Sequence, residues 1–226
     1  MTTDRTARII GILSDSFFPI LKAGLLFSVP LTLITFVLGL LLAFLTALAR
    51  LSDFRLLNAI ARFYVWIFRG TPLLVQLFIL FYGFPSIGIT LDPFPTAIIG
   101  FTLNKGAYSS EIIRAAILSI PKGQREAAYA IGMTPWQTMR RIILPQAVRV
   151  SIPPLGNSFI SLIKDTSLAA TITVTEMFQK GQQIAAVTYE PLWLYMEVAF
   201  IYLMFSTVLS FFQNKLEGRY DRFVAK

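Results

Sequence analysis

The chain has 226 residues, 55% of them hydrophobic and 14% charged, with a net charge of +8 and a mean hydropathy of +0.67. Soluble domains carry roughly 25% charged residues, so this balance points to a bilayer protein, and no basic stripe stands apart from the apolar runs to suggest nucleic acid. With no Cys and no His, disulfides, thiol chemistry, imidazole metal sites and His-dependent triads are excluded. No G-x-x-x-x-G-K-[ST] loop is present either, which removes nucleotide hydrolysis by that route. A carboxylate-only metal site stays open, although no clustered carboxylates suggest one; we expect neither a cofactor nor a metal.

A helical span needs about 20 apolar residues, and five segments supply one. The first is 23–49, uncharged, with Pro30 as a kink; it is too long for a signal-peptide core and reads as a retained span. The second lies in 60–84, the third in 94–118, the fourth near 150–175 and the fifth in 191–212. Gly70, Thr71 and Pro72 predict a local helix start, with Thr71 as cap and Pro72 at the first helical position. The connection 84–93 carries turn residues at Pro85, Gly88 and Pro93. We see no repeat and no second soluble domain, so 1–226 reads as a single transmembrane domain.

Five spans place the termini on opposite sides, and the Lys/Arg bias of the short loops sets the orientation. One set of loops holds Arg50, Arg55 and Arg62, then Lys122, Arg125, Arg140, Arg141 and Arg149, then Lys215, Arg219, Arg222 and Lys226. The other set holds Arg5, Arg8 and Lys22, with only Lys180 in 176–190. The first set is therefore cytoplasmic, with the N-terminus outside and the C-terminus inside. The three N-terminal basics run against that bias.

Several charges fall within the spans: Arg69, Lys105, Glu111, Arg114, Lys164, Asp165 and Glu197. Such residues usually face a bundle interior or a wet cavity. Glu111 and Arg114 are three apart and can pair with each other, whereas Lys105 and Arg69 suit snorkelling to an interface. Lys164 and Asp165 are adjacent, point to different sides, and need outside partners. Asp165 sits in NSFISLIKDTSLAATIT, where it can hold an ammonium group beside the hydroxyls of Thr166 and Ser167 or serve as an interhelical hydrogen-bond partner. In the third span Gly106, Ala107, Ser109, Ser110, Ala115 and Ala116 allow close helix approach.

Between the third and fourth spans, on the cytoplasmic side at about 119–149, a polar segment interrupts the apolar chain. Gln124–Ile131 is built from helix formers and meets Gly132, the usual residue just past a helix end. Thr134 and Pro135 then restart a helix as cap and first residue, which continues over Trp136–Leu144 to an expected stop at Pro145. Two helices this short are marginal in water. They are held either as an amphipathic loop on the lipid surface or as a docking element presenting Ala127, Ala128, Ala130 and Ile131 to a soluble partner.

The spacing Glu126-Ala127-Ala128, three residues, Gly132, nine residues, Ile142-x-Leu144-Pro145 resembles the EAA motif of ABC-importer permeases. The segments 68–83, 107–124 and 145–170 look like the polar amino-acid branch of that family. Within it, GITLDP, GMTPWQTMRR, NSFISL and KDTSLAATI are most similar to L-cystine permeases, and the resemblance spans about residues 20–213. It implies an all-α, ABC type I importer-like permease in the cell (cytoplasmic/inner) membrane, with no enzymatic activity of its own. It also implies the partners: a second permease subunit, here a homodimer, two cytoplasmic ATP-binding subunits that hold the ATP, and an extracytoplasmic solute-binding protein. In the family the EAA segment is the coupling helix, which assigns ATPase coupling to Glu126, Ala127, Ala128, Ala130, Ile131 and Gly132.

The same resemblance implies a transient substrate position near the membrane midplane, close to KDTSL. Asp165 then holds an α-ammonium, with Thr166, Ser167, Ser161 and Asn157 as hydrogen-bond partners. Lys105, Arg114 or Lys164 meets a carboxylate, and Glu111 completes the pathway set. Pro135, Pro145, Pro153 and Pro154 bound segments that can pivot, their simplest role being to end helices. Alternatives are an ion-gradient-driven secondary transporter or channel, which leaves the EAA segment unexplained, a non-transporting membrane scaffold or sensor, which explains docking but not Asp165, and an importer for another polar amino acid such as glutamine.

Overall fold

The computed structural model describes residues 2–220, with side chains from 4 to 218. Arg222 and Lys226, which enter the cytoplasmic charge count, lie outside the described residues, as does the side chain of Arg219. Everything described is helix or connection, with no strand among the described residues. The fold is all-α, as the apolar runs dictate: in lipid the backbone must satisfy its own hydrogen bonds, and helices do so within one segment.

The described chain divides into two compact units. One takes the chain up to Phe36, Leu73–Phe101 and Phe159–Phe211; the other takes Val37–Pro72, Thr102–Ser158 and the chain from Phe212. In the first unit, helix α1 (Thr2–Ala23) leads through a π-helical turn (Gly24–Ser28) into α2 (Val29–Leu51). The first span was expected to begin at 23, yet the helical path starts at Thr2. Residues 2–22 mix apolar side chains with Asp4, Arg5, Arg8 and Asp15, so a hydropathy window passes over a helix that is amphipathic.

This N-terminal helix packs against α9 (Met177–Thr188), and Ile20 joins Met177 and Ala185 of α9, with Leu194, Val198 and Ile201 of the helix after it, in one buried cluster. The contact is close at Gly24, where a Cβ would stand 2.6 Å from the Met177 sulfur. Arg8 donates to the carbonyl of Thr188 at 2.9 Å, and Arg5 lies 3.8 Å from Glu190. Both basics therefore sit at the C-terminal end of α9, where orphan carbonyls and the helix dipole favour cations. That accounts for two of the positive residues on the side that should be poor in them.

Also in this unit are α4 (Leu73–Phe78), a π turn (Ile79–Gly83), a 3₁₀ turn (Phe84–Ile87) and the start of α5 (Pro93–Ser119). The connection turns at Gly88, whose φ of +83° suits glycine. A second buried cluster is formed by Leu31, Leu77, Ala97, Phe101, Leu162, Ala169, Ile172 and Val174. The last helix, α10 (Pro191–Tyr220), begins here.

In the second unit, α3 (Arg55–Gly70) crosses α5 through two contacts. The Tyr64 hydroxyl donates to the Leu103 carbonyl at 2.6 Å, and Asn104 donates to the Phe68 carbonyl at 3.3 Å. The small residues of α5 make this possible: a Cβ on Gly106 would come within 2.8 Å of the Tyr64 hydroxyl and 2.9 Å of Leu42. Ala107, Ser109, Ser110 and Ala116 are buried along the same helix, whereas Ala115 faces outward. The expected helix start at Thr71–Pro72 shifts by one residue, since α4 begins at Leu73; the Thr71 hydroxyl donates back to the Ile67 carbonyl at 2.8 Å.

The expected stop at Pro145 is absent. From α7 (Pro135–Thr138) the helical path continues through a π turn (Met139–Ile143) into α8 (Leu144–Asp165), with Pro153 and Pro154 inside that helix, before a 3₁₀ segment (Thr166–Ile172). Proline breaks a helix by withholding an N–H and crowding the preceding turn. A π turn loosens the register just ahead of Pro145, and membrane helices tolerate proline because neighbouring groups satisfy the freed carbonyls. None of these three prolines ends a helix.

By length and apolarity alone, Asp4–Leu51 and Pro191–Gly218 suffice to cross a bilayer, and a third span results if Arg55–Gly70 and Leu73–Ile87, broken at Thr71 and Pro72, count as one. Helices α5 and α8, with 27 and 22 residues, have the length of the remaining two expected spans. Their charged and polar side chains keep them below such an apolar threshold.

Candidate functional site

The polar segment forms α6 (Lys122–Ala130), a tight turn and α7. Gly132 takes φ +81°, a left-handed conformation in which a Cβ costs about 1 kcal/mol or more. The Gly132 N–H donates to the Tyr129 carbonyl at 2.9 Å and the Met133 N–H to the Ala128 carbonyl at 3.0 Å. These two bonds are a Schellman motif, which satisfies carbonyls that the helix end leaves orphaned. Two residues later α7 is closed from the other side by a capping box. Thr134 Oγ1 accepts from the Gln137 N–H at 3.3 Å, while Gln137 Oε1 accepts from the Thr134 N–H at 2.9 Å. Pro135 occupies the first turn, where its missing N–H costs nothing.

Both helix ends are thus finished by the sequence itself, and the turn is rigid although it is exposed. Its inner side is anchored: Thr138 is buried, and Ile143 and Ala147 join Ala43, Ala47, Ile113, Ala116, Ile117 and Ile120 in the unit's apolar core. Its outer side is not covered by any of the described residues. Ile131 is 79% exposed and Trp136 64%, with Glu126, Ala127, Ala130 and Gly132 also exposed. Ala128 differs from expectation. At 4% exposure it packs inward, because the helical period turns it opposite to the outward face, and it cannot itself meet a partner.

The candidate pathway residues divide between the two units. In the second unit Glu111 is the hub of an ion cluster. Arg114 donates to its Oε2 at 2.8 Å, Arg69 lies 3.9 Å from the same oxygen, and Arg50 pairs with Oε1. The pairing of Glu111 with Arg114 is as the i, i+3 spacing suggests; Arg50, placed in a loop by the sequence, is an addition. Lys105 does not snorkel. It is 9% exposed, packed where Gly39 lets α2 come close: a Cβ on Gly39 would stand 3.3 Å from the lysine Cβ. Arg69 is exposed and stacks 5.4 Å from the Tyr108 ring centroid. Asn157 is exposed and accepts from Gln213 Nε2 at 3.1 Å.

In the first unit Asp165 ends α8 and is half-buried, while Lys164 and Ser161 are exposed. Thr166 is fully buried and donates to the Ile163 carbonyl at 2.7 Å, so it does not line an accessible surface. The Ser167 hydroxyl donates to the Lys164 carbonyl at 2.8 Å. Such backward bonding is the habit of hydroxyls at helix ends.

Two acids of this unit were not singled out or not partnered by the sequence. Glu176 is fully buried, caps α9 by accepting from the Gln179 N–H at 2.8 Å, and accepts from the Tyr202 hydroxyl at 2.6 Å. Its signal is a Glu directly before a helical run, a capping pattern easily lost in an apolar context. Glu197 accepts from Ser16 Oγ at 2.5 Å. Among the described residues no group of three or more acids is arranged to hold a metal ion.

Comparison with known proteins adds a matching family. Residues 36–222 match the model of the "Binding-protein-dependent transport system inner membrane component". The chain is 57% identical to the L-cystine transport system permease protein TcyB of Bacillus subtilis (strain 168), over 95% of this chain and 92% of that protein. It is 38% identical to the glutamine transport system permease protein GlnP of Escherichia coli (strain K12), over 89% and 93%. Among solved structures, an amino acid ABC transporter crystallised with histidines aligns with a TM-score of 0.86 at 32% identity, covering 90% of this chain and 95% of that one.

Proposed function

The chain belongs to the family of inner-membrane components of binding-protein-dependent transport systems, and from that premise we propose that it imports L-cystine as the permease subunit of an ATP-driven transporter. The 57% identity to an L-cystine permease, against 38% to a glutamine permease, supports that choice of substrate. The subunit itself is not an enzyme: ATP hydrolysis belongs to a partner ATPase. A second permease subunit, the ATP-binding subunits and a binding protein complete the assembly, and we read the permease pair as a homodimer.

One observation carries the mechanism: a rigid, doubly capped turn that exposes Ile131 and Trp136 while its inner side is packed. Exposed apolar groups on a preorganised turn suit insertion into a groove of a soluble subunit, because little ordering cost remains at docking. Closure of the ATPases moves the paired turns, and the helix bundles alternate between outward- and inward-facing states; the turn is the physical element that biases the two. Near the substrate, Asp165 holds an α-ammonium, with Ser167, Ser161 and Asn157 nearby in sequence. Of the candidate cations we assign the substrate carboxylate to Lys164, which is exposed where Lys105 is buried.

The test is uptake by the reconstituted transporter with its binding protein and ATPase. Cystine accumulation dependent on ATP and on the ATPase supports the reading. Uptake that persists without the ATPase overturns it and favours an ion-gradient mechanism, while a binding protein that selects glutamine overturns only the substrate.

A further inference from the structure

In the second unit, α3 carries two surfaces that meet. Arg62 and Arg69, with Arg50 from the end of α2 and Glu111 from α5, line a cavity of about 360 Å³ that also includes Trp66. The charge around it is unbalanced. Arg50, Arg69 and Arg114 all turn to the single carboxylate of Glu111, and Arg62 has no ion-pair partner among the described residues. Four guanidinium groups thus face one carboxylate, and Arg62 and Arg69 are the exposed pair. An anion brought here meets planar N–H donors suited to phosphate oxygens.

The second surface is apolar. Leu56, Ile60, Phe63 and Trp66 recur at helical spacing and are exposed, Trp66 to 70%. Trp66 belongs to both the stripe and the cavity. A ligand that fills both is amphiphilic, with an anionic head among the arginines and a hydrocarbon tail along Ile60 and Phe63. A free anion uses only the first surface, and a zwitterionic amino acid has no tail for the second. Arg50 and Arg62 belong to the cytoplasmic set, Arg69 follows two helical turns after Arg62 on the same helix, and basic pockets between helices on the cytoplasmic side are where acidic lipid headgroups bind.

We propose that this cavity binds the phosphate of an acidic phospholipid from the cytoplasmic leaflet, with Arg62 and Arg69 as its principal contacts. The site is separate from the residues assigned to coupling. Arg62 and Arg69 can be changed without removing Arg50 or Arg114 from Glu111, so the variant keeps the Arg50–Glu111 pair that joins α2 to α5 and the Arg114–Glu111 pair within α5.

The experiment is native mass spectrometry of the assembled transporter purified from mixed phosphatidylglycerol and phosphatidylcholine nanodiscs. The wild type is expected to retain phosphatidylglycerol in preference to phosphatidylcholine. The Arg62→Gln/Arg69→Gln variant is expected to lose that preference by about thirtyfold, from about fivefold per arginine near the membrane surface. Arg62→Lys/Arg69→Lys is expected to recover part of it. An unchanged melting temperature and unchanged ATPase retention in the Gln variant show that the fold is intact. Equal retention of the two lipids by the wild type overturns the proposal, and so does a Gln variant that binds as the wild type does. Displacement of phosphatidylglycerol by millimolar inorganic phosphate also overturns it, since the cavity then takes a free anion.

Discussion

Gly132 offers the sharpest perturbation, because its surroundings separate backbone strain from steric clash. A Cβ built there meets nothing within 4 Å, so Gly132→Ala costs only the left-handed backbone, about 1 kcal/mol. At 1.4 kcal/mol per factor of ten, that lowers the equilibrium ratio of intact to disrupted turn by about fivefold. Gly132→Pro is of another order. Proline fixes φ near −65° where the turn needs +81°, and it deletes the N–H that donates to Tyr129 at 2.9 Å. Together these cost about 3 kcal/mol or more, a loss above a hundredfold. The turn is exposed, so neither change should lower the melting temperature of the membrane domain. Expected results are therefore a modest fall in ATP-driven uptake for the alanine variant and background uptake for the proline variant. Thr134→Ala, which removes the cap for about 1 kcal/mol, should resemble Gly132→Ala. Proteoliposome uptake, beside ATPase pull-down and a thermal melt, reads all three. Normal uptake by Gly132→Pro refutes the assignment of coupling to this turn, and equal abolition by alanine and proline refutes the strain argument.

Three further predictions follow from the same geometry. Ile131→Asp and Trp136→Ala should each weaken ATPase retention by tenfold or more, about the scale of an interface anchor; retention at the wild-type level in both means the partner docks elsewhere. Asp165→Asn should slow uptake while ATPase pull-down stays normal, and import at the ordinary rate would make Asp165 a packing residue. Glu111→Gln removes the one carboxylate shared by Arg50, Arg69 and Arg114. Partly buried pairs of this kind should yield a loss of about 1–3 kcal/mol; an unshifted melt shows that the cluster adds nothing to stability.

What the sequence made legible depended on whether a residue's role is local. Gly132, Thr134 and Pro135 act on their own neighbours, so spacing alone predicts the turn, and the structure has the expected bonds. Proline at 145, 153 and 154 acts through neighbours that the sequence does not reveal, and the rule that proline ends helices fails there. The N-terminal helix was missed because a window of mean hydropathy averages its apolar face with its charges. The basics that seemed to oppose the topology, Arg5 and Arg8, are explained only by the end of α9, 180 or more residues away in sequence. Lys105 was assigned to an interface by its length and charge, but the small residue at Gly39 sets its burial. Ala128 could have been withheld from the docking face by periodicity alone.

The helical path that starts at Pro135 has no break before Asp165. This continuity changes what the prolines can do. If Pro145 ended a helix, the exposed turn would hang from a flexible joint, and its displacement would dissipate there. Because the path is continuous, a push on Trp136 enters a helix whose departures from regularity are a π turn and a pair of prolines. Such features bend a helix at defined places without uncoupling its two sides. Under the proposed coupling, tight finishing at the turn and continuity beyond it meet one requirement: a segment that receives force from another protein must not yield before the membrane helices do.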